Sequence, residues 1–218
     1  AGLIVGFDGE KSGAGQRIYQ FVEQTAIPTA LVSMLQALPD TALWHRLEKE
    51  GRLLGKSADI NQTTLMNFVP TRPIEEITEE YIQVFWDLYD PLVVLNRTYR
   101  HFLMLGEAQK RNYKNRTTSA GAPDINWVTI RAFLIVVWRQ GVVRKTRLRF
   151  WINLAIMLWR YPAVAANYVS VCAQAEHFLD FRQIVRQNIE EQLAAYLEAK
   201  RQTDTAAAIA ESVTVPAA

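Results

Sequence analysis

The hydrophobic and polar positions in the first third of the chain follow strand and helix patterns in turn. Residues 2–7 form a continuous apolar run bounded by glycine, which predicts a strand buried on both faces. Residues 16–25 place apolar side chains at helical spacing, and residues 30–35 form a second apolar run. A further helical stripe lies between Thr41, a capping residue, and Gly51, a helix-ending glycine. This order predicts two β-α units with parallel strands.

Two parallel strands are too few to form a stable sheet, and both outer edges of such a sheet would be unpaired. The rest of the chain has helical patterns, so the missing strands are expected in an upstream segment or in another subunit. The chain begins at Ala1 without an initiator methionine, which favours the upstream segment. We therefore expect a C-terminal fragment of a longer protein.

Beyond residue 58 the pattern is mainly helical. A helix is predicted from Pro73 to Asp90, with acidic residues in its first turn, where they are favourable to the helix dipole. A second helix is predicted over residues 92–105. Residues 107–124 are polar and basic and are expected to form a linker.

The last part of the chain is predicted as a basic helical bundle over residues 125–202, followed by a disordered tail at 203–218 that frays. Residues 125–175 contain no Asp or Glu. The basic residues in this stretch are Arg131, Arg139, Arg144, Lys145, Arg147, Arg149 and Arg160, and the tryptophans are Trp127, Trp138, Trp151 and Trp159. Tryptophan combined with cations is favoured at a membrane surface, which predicts peripheral membrane contact. A bundle with a basic outer face accounts for the same composition.

Composition excludes several classes of protein. With 218 residues, half of them hydrophobic, the chain is long enough to bury a sizeable core. Its 24 basic and 22 acidic residues are too nearly balanced to indicate a nucleic-acid partner. The single cysteine, Cys172, excludes an internal disulfide and a cysteine-based metal site and fits a cytoplasmic location. No uncharged apolar run approaches the ~18 residues of a membrane span.

The glycines at the start of the chain are the first candidate residues for ligand binding. Gly2, Ile4 and Gly6 alternate along the first predicted strand, and Glu10 follows it. Glycine at such positions permits the close approach of a ligand, although a tight strand-to-helix turn would require the same residues. The spacing matches neither the dinucleotide fingerprint nor a Walker phosphate loop.

Two sequence motifs that follow one another in the chain point to a known family. The strand GLIVGFDGE is followed by a helix and then by LQALPDTALWHRLEKEGRL at residues 35–53. Together they resemble the closing part of the barrel of radical S-adenosylmethionine (SAM) enzymes. Residues 67–91 resemble the helical C-terminal extension of the cobalamin-binding members of that family, a group that includes hopanoid methylases. The resemblance covers roughly residues 2–105.

The resemblance implies an α/β fold followed by mainly α structure. Residues 1–58 would hold the last two βα units of a partial (β/α)6 barrel, and residues 59–106 would form the helical extension. A cobalamin domain would precede the barrel in the intact enzyme.

The resemblance also implies site residues. Gly2, Ile4 and Gly6 would line the adenine side of SAM, with Glu10 as a weaker member. Further SAM-binding candidates at the end of the next strand are Leu35, Gln36 and Leu38, of which the two leucines also fit an ordinary barrel core. Candidates for the substrate side of the barrel mouth are Asn67, Arg72, Arg97, Tyr99 and Arg100, which solvated helix faces would also explain.

The activity implied is reductive cleavage of SAM by a 4Fe-4S cluster, with electrons from a donor protein, followed by cobalamin-dependent methyl transfer or related radical chemistry. The substrate would be a small molecule or a lipid such as a hopanoid. The CxxxCxxC motif that binds the cluster is absent from this chain, so its ligands are expected upstream and the chain alone is expected to be inactive. No metal ligand is predicted in the chain itself, because its histidines lack ligand spacing.

Two other hypotheses fit the sequence. The chain would be a non-catalytic helical adaptor or membrane-associated module whose βα pairs are completed by dimerisation. Alternatively, it would belong to a relative that keeps the SAM fold and has lost its cluster.

Overall fold

The computed structural model describes residues 1–55, 61–113 and 127–213, except for some side chains near the helix ends. The strands are β1 (Gly2–Val5) and β2 (Leu31–Met34). The helices are α1 (Ala14–Thr25), α2 (Ala42–Lys49), α3 (Ile74–Leu88), α4 (Pro91–Tyr113), α5 (Trp127–Trp138), α6 (Arg147–Arg160) and α7 (Pro162–Val213), and a π-helical turn covers Arg139–Val143. The predicted order of α/β structure followed by mainly α structure is confirmed.

The strands β1 and β2 are neighbours in a two-stranded sheet. The amide of Leu31 donates to the carbonyl of Ala1 at 2.7 Å, and the amide of Leu35 donates to the carbonyl of Val5 at 2.9 Å. The same sequence offset at both ends of the ladder makes the strands parallel. Helix α1 is the crossover between them, as the sequence pattern predicts.

Only one face of this sheet is covered. Val5, Val32 and Met34 are buried, whereas the side chains of Ile4 and Leu31 are 43% and 46% exposed. The expectation that the first strand is buried on both faces is therefore wrong for this chain. Side chains alternate between the two faces of a strand, and the described residues pack against only one of those faces.

Helix α2 begins and ends at the residues that the sequence indicates. The hydroxyl of Thr41 accepts a hydrogen bond from the amide of Trp44 at 3.2 Å and so caps the first turn. Gly51, just past the end, has a φ of 66°, the left-handed conformation in which glycine lacks the penalty of a Cβ. The chain then pairs Leu53 with Phe68 in an isolated antiparallel bridge.

The chain divides into two compact units. The first comprises Ala1–Leu3, Gly15–Leu31 and Gln83–Arg182. Its core contains apolar residues of α4, α6 and α7, among them Phe102, Phe150 and Tyr168. The second comprises Ile4–Ala14, Val32–Ile82 and Gln183–Ala218. Buried residues of this unit are Val32, Met34, Leu47, Phe68, Ile77, Tyr81, Val185 and Ile189.

Two helices are longer than the sequence pattern predicts. Helix α4 continues to Tyr113 and so includes the first part of the expected linker 107–124, the rest of which lies outside the described residues. Helix α7 continues to Val213, through most of the tail expected to be disordered. Both extensions are rich in good helix formers and contain no proline, so polarity alone does not end the helix. Residues 125–126 and 214–218 lie outside the described part.

Over the residues that the structure describes, no helix combines the length and the apolar character that crossing a bilayer requires.

Candidate functional site

The site predicted from the sequence lies at the carboxyl ends of β1 and β2. In parallel sheets this edge is where ligands bind, because the strand-to-helix loops meet there. The loop after β1 contains three glycines with positive φ: Gly6 at 94°, Gly9 at 79° and Gly13 at 83°. A Cβ added to Gly6 would lie 2.8 Å from the methyl group of Met66, so the loop packs closely against that side chain. The positive φ and the close packing against Met66 therefore both favour glycine at position 6.

Glu10 folds back onto its own loop. Its carboxylate accepts a hydrogen bond from the amide of Gly6 at 2.8 Å, and its amide donates to the carbonyl of Phe7 at 3.0 Å. The two predicted SAM-binding residues are thus brought together, with the carboxylate holding the tight turn closed. The two residues are close because of the conformation of the loop, which forms without a ligand.

An ion-pair cluster fixes the same loop from the outside. Arg52 donates to both carboxylate oxygens of Asp8, at 2.7 and 3.0 Å, and Arg46 donates to one of them at 2.6 Å. The hydrogen bond from Arg52 lowers the pKa of Asp8 from its ordinary value, against the opposing effect of burial. These ion pairs were not predicted from the sequence, although the sequence shows an acidic residue in the glycine loop and two arginines near the end of α2.

The loop is also held at its far end. The amide of Gly13 donates to the carboxylate of Glu80 at 2.8 Å, and the guanidinium of Arg72 donates to the same oxygen at 2.6 Å. Within the described residues, two of the nitrogens of Arg72, Nε and Nη1, are buried and make no hydrogen bond. Arg72, predicted as a substrate-side residue, is thus connected to the glycine loop through Glu80.

The segment that follows α2 forms hydrogen bonds with the residues at the end of β2. Gln36 is buried and donates to the carbonyl of Leu65 at 2.8 Å. Asn67 accepts from the amide of Ala37 and donates to its carbonyl, both at 2.8 Å. The side-chain oxygen of Gln36, Oε1, is buried and has no hydrogen-bond partner among the described residues. A buried acceptor without a donor is costly, so this oxygen is a natural contact for a ligand hydrogen-bond donor.

The remaining predicted SAM-binding residues lie on the open face of the sheet or beside its end. A Cβ added to Gly2 would have no neighbour within 4 Å, and Ile4 is 43% exposed. Leu35 is half-buried and Leu38 is 37% exposed. Gly2 and Ile4 therefore form an apolar strip on the uncovered face of β1.

The other substrate-side candidates lie in the first compact unit. Arg97 is fully buried and contacts Glu23 at 2.7 Å and the carbonyl of Leu88 at 2.9 Å. Arg100 contacts the other oxygen of Glu23 at 2.6 Å. Tyr99 packs against the hydrophobic core. Asn67 and Arg72 belong to the second unit, so these five residues are not assembled within one unit.

The described residues contain no group of three or more histidine, cysteine and carboxylate side chains arranged to hold a metal ion. Cys172 is 1% exposed, and burial raises the pKa of its thiol to about 12. His177 is stacked on Phe181 with ring centroids 5.3 Å apart.

Comparison with known proteins finds relatives along most of the chain. An uncharacterized methyltransferase of Synechocystis sp. is 55% identical over 203 residues, which are 93% of this chain and 36% of the relative. The hopanoid C-2 methylase of Rhodopseudomonas palustris is 28% identical over 155 residues, which are 69% of this chain and 27% of the relative. This chain therefore corresponds to only about a third of the length of either relative. No solved structure gives a significant match.

A family model described as a domain of unknown function, DUF4070, matches residues 41–191. The match begins at the cap of α2 and ends within α7, and it covers well over half of the chain. The chain therefore belongs to the DUF4070 family.

Proposed function

We propose that this chain is the C-terminal part of a larger SAM-dependent methylase of the radical SAM type, acting on a small molecule or a lipid. The observation that carries the proposal is the 55% identity to a methyltransferase over 93% of the chain. The distant similarity to a hopanoid methylase points in the same direction and makes a lipid the favoured substrate class.

In this proposal β1 and β2 are the last strands of a partial barrel, and the uncovered face of the sheet faces the barrel interior. The exposure of Ile4 and Leu31 supports this arrangement, because a strand face this apolar is normally buried. Parallel strands of such a barrel carry their ligands at the carboxyl edge, where the glycine loop lies.

The residues at this edge fit the adenosine part of SAM. On the uncovered face of β1, Gly2 and Ile4 form the apolar strip against which an adenine ring can lie, since a Cβ added to Gly2 would have no neighbour within 4 Å. The free oxygen of Gln36 accepts a hydrogen bond from an amino or hydroxyl group of the nucleoside. When bound, SAM supplies an activated methyl group and, on one-electron reduction, the adenosyl radical for hydrogen abstraction.

The contribution of this chain is to bind and orient. Glu10 keeps the turn at Gly6 closed, and Asp8 and Arg52 hold the loop in place before any ligand arrives. Such preorganisation lowers the entropic cost of binding. The apolar strip excludes water from one side of the nucleoside.

The residues of this chain do not fit an iron–sulfur cluster. A cluster is held by several thiolates, and the chain has one cysteine, which is buried in the core. In our proposal the cluster, the cobalamin and the electron donor are bound by other parts of the complete polypeptide. The proposed role of this chain is confined to SAM and to the closure of the site.

The test is a Gly2→Val substitution in the complete polypeptide that contains this chain. The new side chain would occupy the space that the proposal assigns to the adenine ring, so we expect unchanged thermal stability without SAM but at least tenfold weaker binding of radiolabelled SAM in equilibrium dialysis, about 1.4 kcal/mol. Gly55→Val is the matched control, because Gly55 also has no neighbour within 4 Å of an added Cβ and lies outside the sheet. Equal SAM affinity in both variants, or no SAM binding by the unsubstituted protein, would overturn the proposal.

A further inference from the structure

Helix α6 has two opposite apolar faces. Its inner face, with Phe150, Leu154 and Met157, is buried in the core of the first unit. Its outer face carries a second stripe at helical spacing, consisting of Leu148, Trp151, Ile152, Leu158 and Trp159. We call this stripe the α6 outer surface.

The α6 outer surface is open to solvent in the described structure. Trp159 is 87% exposed, Leu148 is 74% exposed and Leu158 is 57% exposed. Two further apolar side chains that precede α6 in the sequence are exposed: Val143, at 61%, and Trp138, at 63%. Contiguous apolar patches of this kind mark a surface that contacts another phase or molecule.

The cations around this region fall into two groups. Arg139 and Arg144 contact Glu176 at 2.8 and 3.0 Å, and Arg144 also contacts Asp180 at 2.9 Å. These two arginines therefore pair α7 with the π-helical turn and are part of the fold. The carboxylates of Glu176 and Asp180 offset their charges.

The second group is exposed and has no acidic partner in the part of the chain that the structure describes. Arg147, Arg149 and Arg160 form no ion pair within the described residues; Arg149 donates to the amide oxygen of Asn96, and Arg160 lies over the ring of Tyr161. Lys145, on the loop before α6, is also exposed. Helical periodicity places Arg147 on one side of the apolar stripe and Arg149 and Arg160 on the other.

We infer that the α6 outer surface is a docking site for a lipid bilayer that contains anionic lipids. An apolar stripe with tryptophan, flanked on both sides by cations, is the arrangement of a helix that lies in the membrane interface. The charges favour this occupant over a second copy of the chain, because a symmetric contact would place the cations of both copies together. Residues 125–175 contain no Asp or Glu that would repel a negative surface.

This docking site is independent of the proposed methylase function. It needs no SAM and no catalytic residue, and it lies on α6, whereas the proposed SAM site lies at β1 and β2. Failure of either proposal leaves the other standing, since vesicle binding and SAM binding are separate measurements.

The experiment is cosedimentation of the complete polypeptide with phosphatidylcholine vesicles that contain or lack phosphatidylglycerol. We expect binding to the vesicles with phosphatidylglycerol, weaker binding without it, and loss of binding at high salt. Replacing Arg147, Arg149 and Arg160 together by Glu is expected to weaken binding by at least about a hundredfold, since each cation near an anionic surface contributes about fivefold. The control variant replaces three exposed cations that are far from α6 in the sequence, Lys49, Lys200 and Arg201, by Glu. It is expected to change the affinity much less.

A second variant separates the apolar contribution from charge. Leu148→Ser combined with Trp159→Ser changes two strongly exposed side chains, so the fold is expected to be retained and vesicle binding to be lost. Absence of binding to phosphatidylglycerol vesicles at low salt would overturn the inference, as would full binding by both the Glu and the Ser variants. A concentration-dependent dimer that the Ser variant abolishes, without vesicle binding by the parent, would assign the surface to a second copy instead.

Discussion

Arg97 is a fully buried cation whose position its sequence neighbours do not reveal. It lies one helical turn from exposed residues of α4, yet its guanidinium contacts Glu23 at 2.7 Å and the carbonyl of Leu88 at 2.9 Å. A buried charge requires such partners, because its hydration is lost. Glu23 comes from α1, more than seventy residues away in the sequence. The pairing of these two residues is therefore a property of the tertiary structure.

Cys172 shows how burial controls the reactivity of a single side chain. The thiol is 1% exposed, and desolvation raises its pKa from 9.0 to about 12. At neutral pH this lowers the thiolate fraction by about a thousandfold relative to a cysteine of ordinary pKa.

We predict that Cys172 in the folded protein resists alkylation by iodoacetamide at pH 8. The rate is expected to be at least about a thousandfold below that in denaturant, because both the thiolate and access to it are suppressed. Mass spectrometry of the peptide that contains Cys172, with and without guanidinium, measures this ratio. Rapid labelling of the native protein would show that the helix packing around Cys172 opens readily.

At the scale of elements, the glycine loop after β1 is anchored to the end of α2. Asp8 comes from the loop, Arg46 from α2 and Arg52 from the segment after it. The side chains of Asp8 and Arg52 are each only 19% exposed, so solvent screens the pair less than a surface ion pair. The anchor holds the loop next to the carboxyl edge of the sheet.

We predict that Asp8→Asn lowers the free energy of unfolding by about 1–2 kcal/mol at pH 7, the value of a charge-assisted, bidentate pair. The folded-state pKa of Asp8 lies below its ordinary value of 3.8, so the stabilisation is present above that value and is lost as the pH falls below it. Urea denaturation at pH 7 and at pH 3 measures the difference between the two proteins.

The difference is expected to shrink at pH 3, because this pH is below the ordinary pKa of Asp8 and the unfolded chain then takes up the proton. Asp204→Asn is the control, since the side chain of Asp204 is exposed. A difference that is equal at both pH values would show that the ion pair does not stabilise the loop.

At the scale of the whole molecule, one apolar face of the sheet stays uncovered by the described residues. An apolar face with Ile4 and Leu31 exposed is typical of a sheet that packs against further structure. The relatives are much longer than this chain, which spans 36% of one and 27% of the other. Both observations support our proposal that the chain completes a larger fold.

We predict that Ile4→Thr destabilises the complete polypeptide by about 1–3 kcal/mol, because the proposed barrel buries this side chain. Phe21→Thr is the matched control: Phe21 is exposed to a similar degree, 48% against 43%, but lies on the outer side of α1. Thermal denaturation of the two variants measures the contrast. Equally small losses would mean that the sheet face stays open in the complete protein.

The sequence by itself determined the local elements. Apolar runs and helical spacing identified β1, α1, β2 and α2 in the correct order, since these patterns report which side chains leave water. Thr41 and Gly51 marked the ends of α2, because capping depends on residues close in sequence. The helical ends of α4 and α7 were missed because their polar composition was taken as a sign of coil, whereas both stretches are rich in good helix formers.

Only the tertiary structure decided which polar groups are free. Gly6, Gln36 and Asn67 were predicted as site residues, but their local patterns did not show that Asn67 is bound to the backbone of Ala37, or that the side-chain oxygen of Gln36 has no partner in the part of the chain that the structure describes. Similarly, the seven cations of the basic region look alike in the sequence, and only the contacts of Glu176 separate Arg139 and Arg144 from the exposed ones. The physical reason is that hydrogen bonds and ion pairs join residues far apart in the chain, whereas sequence patterns report on neighbours.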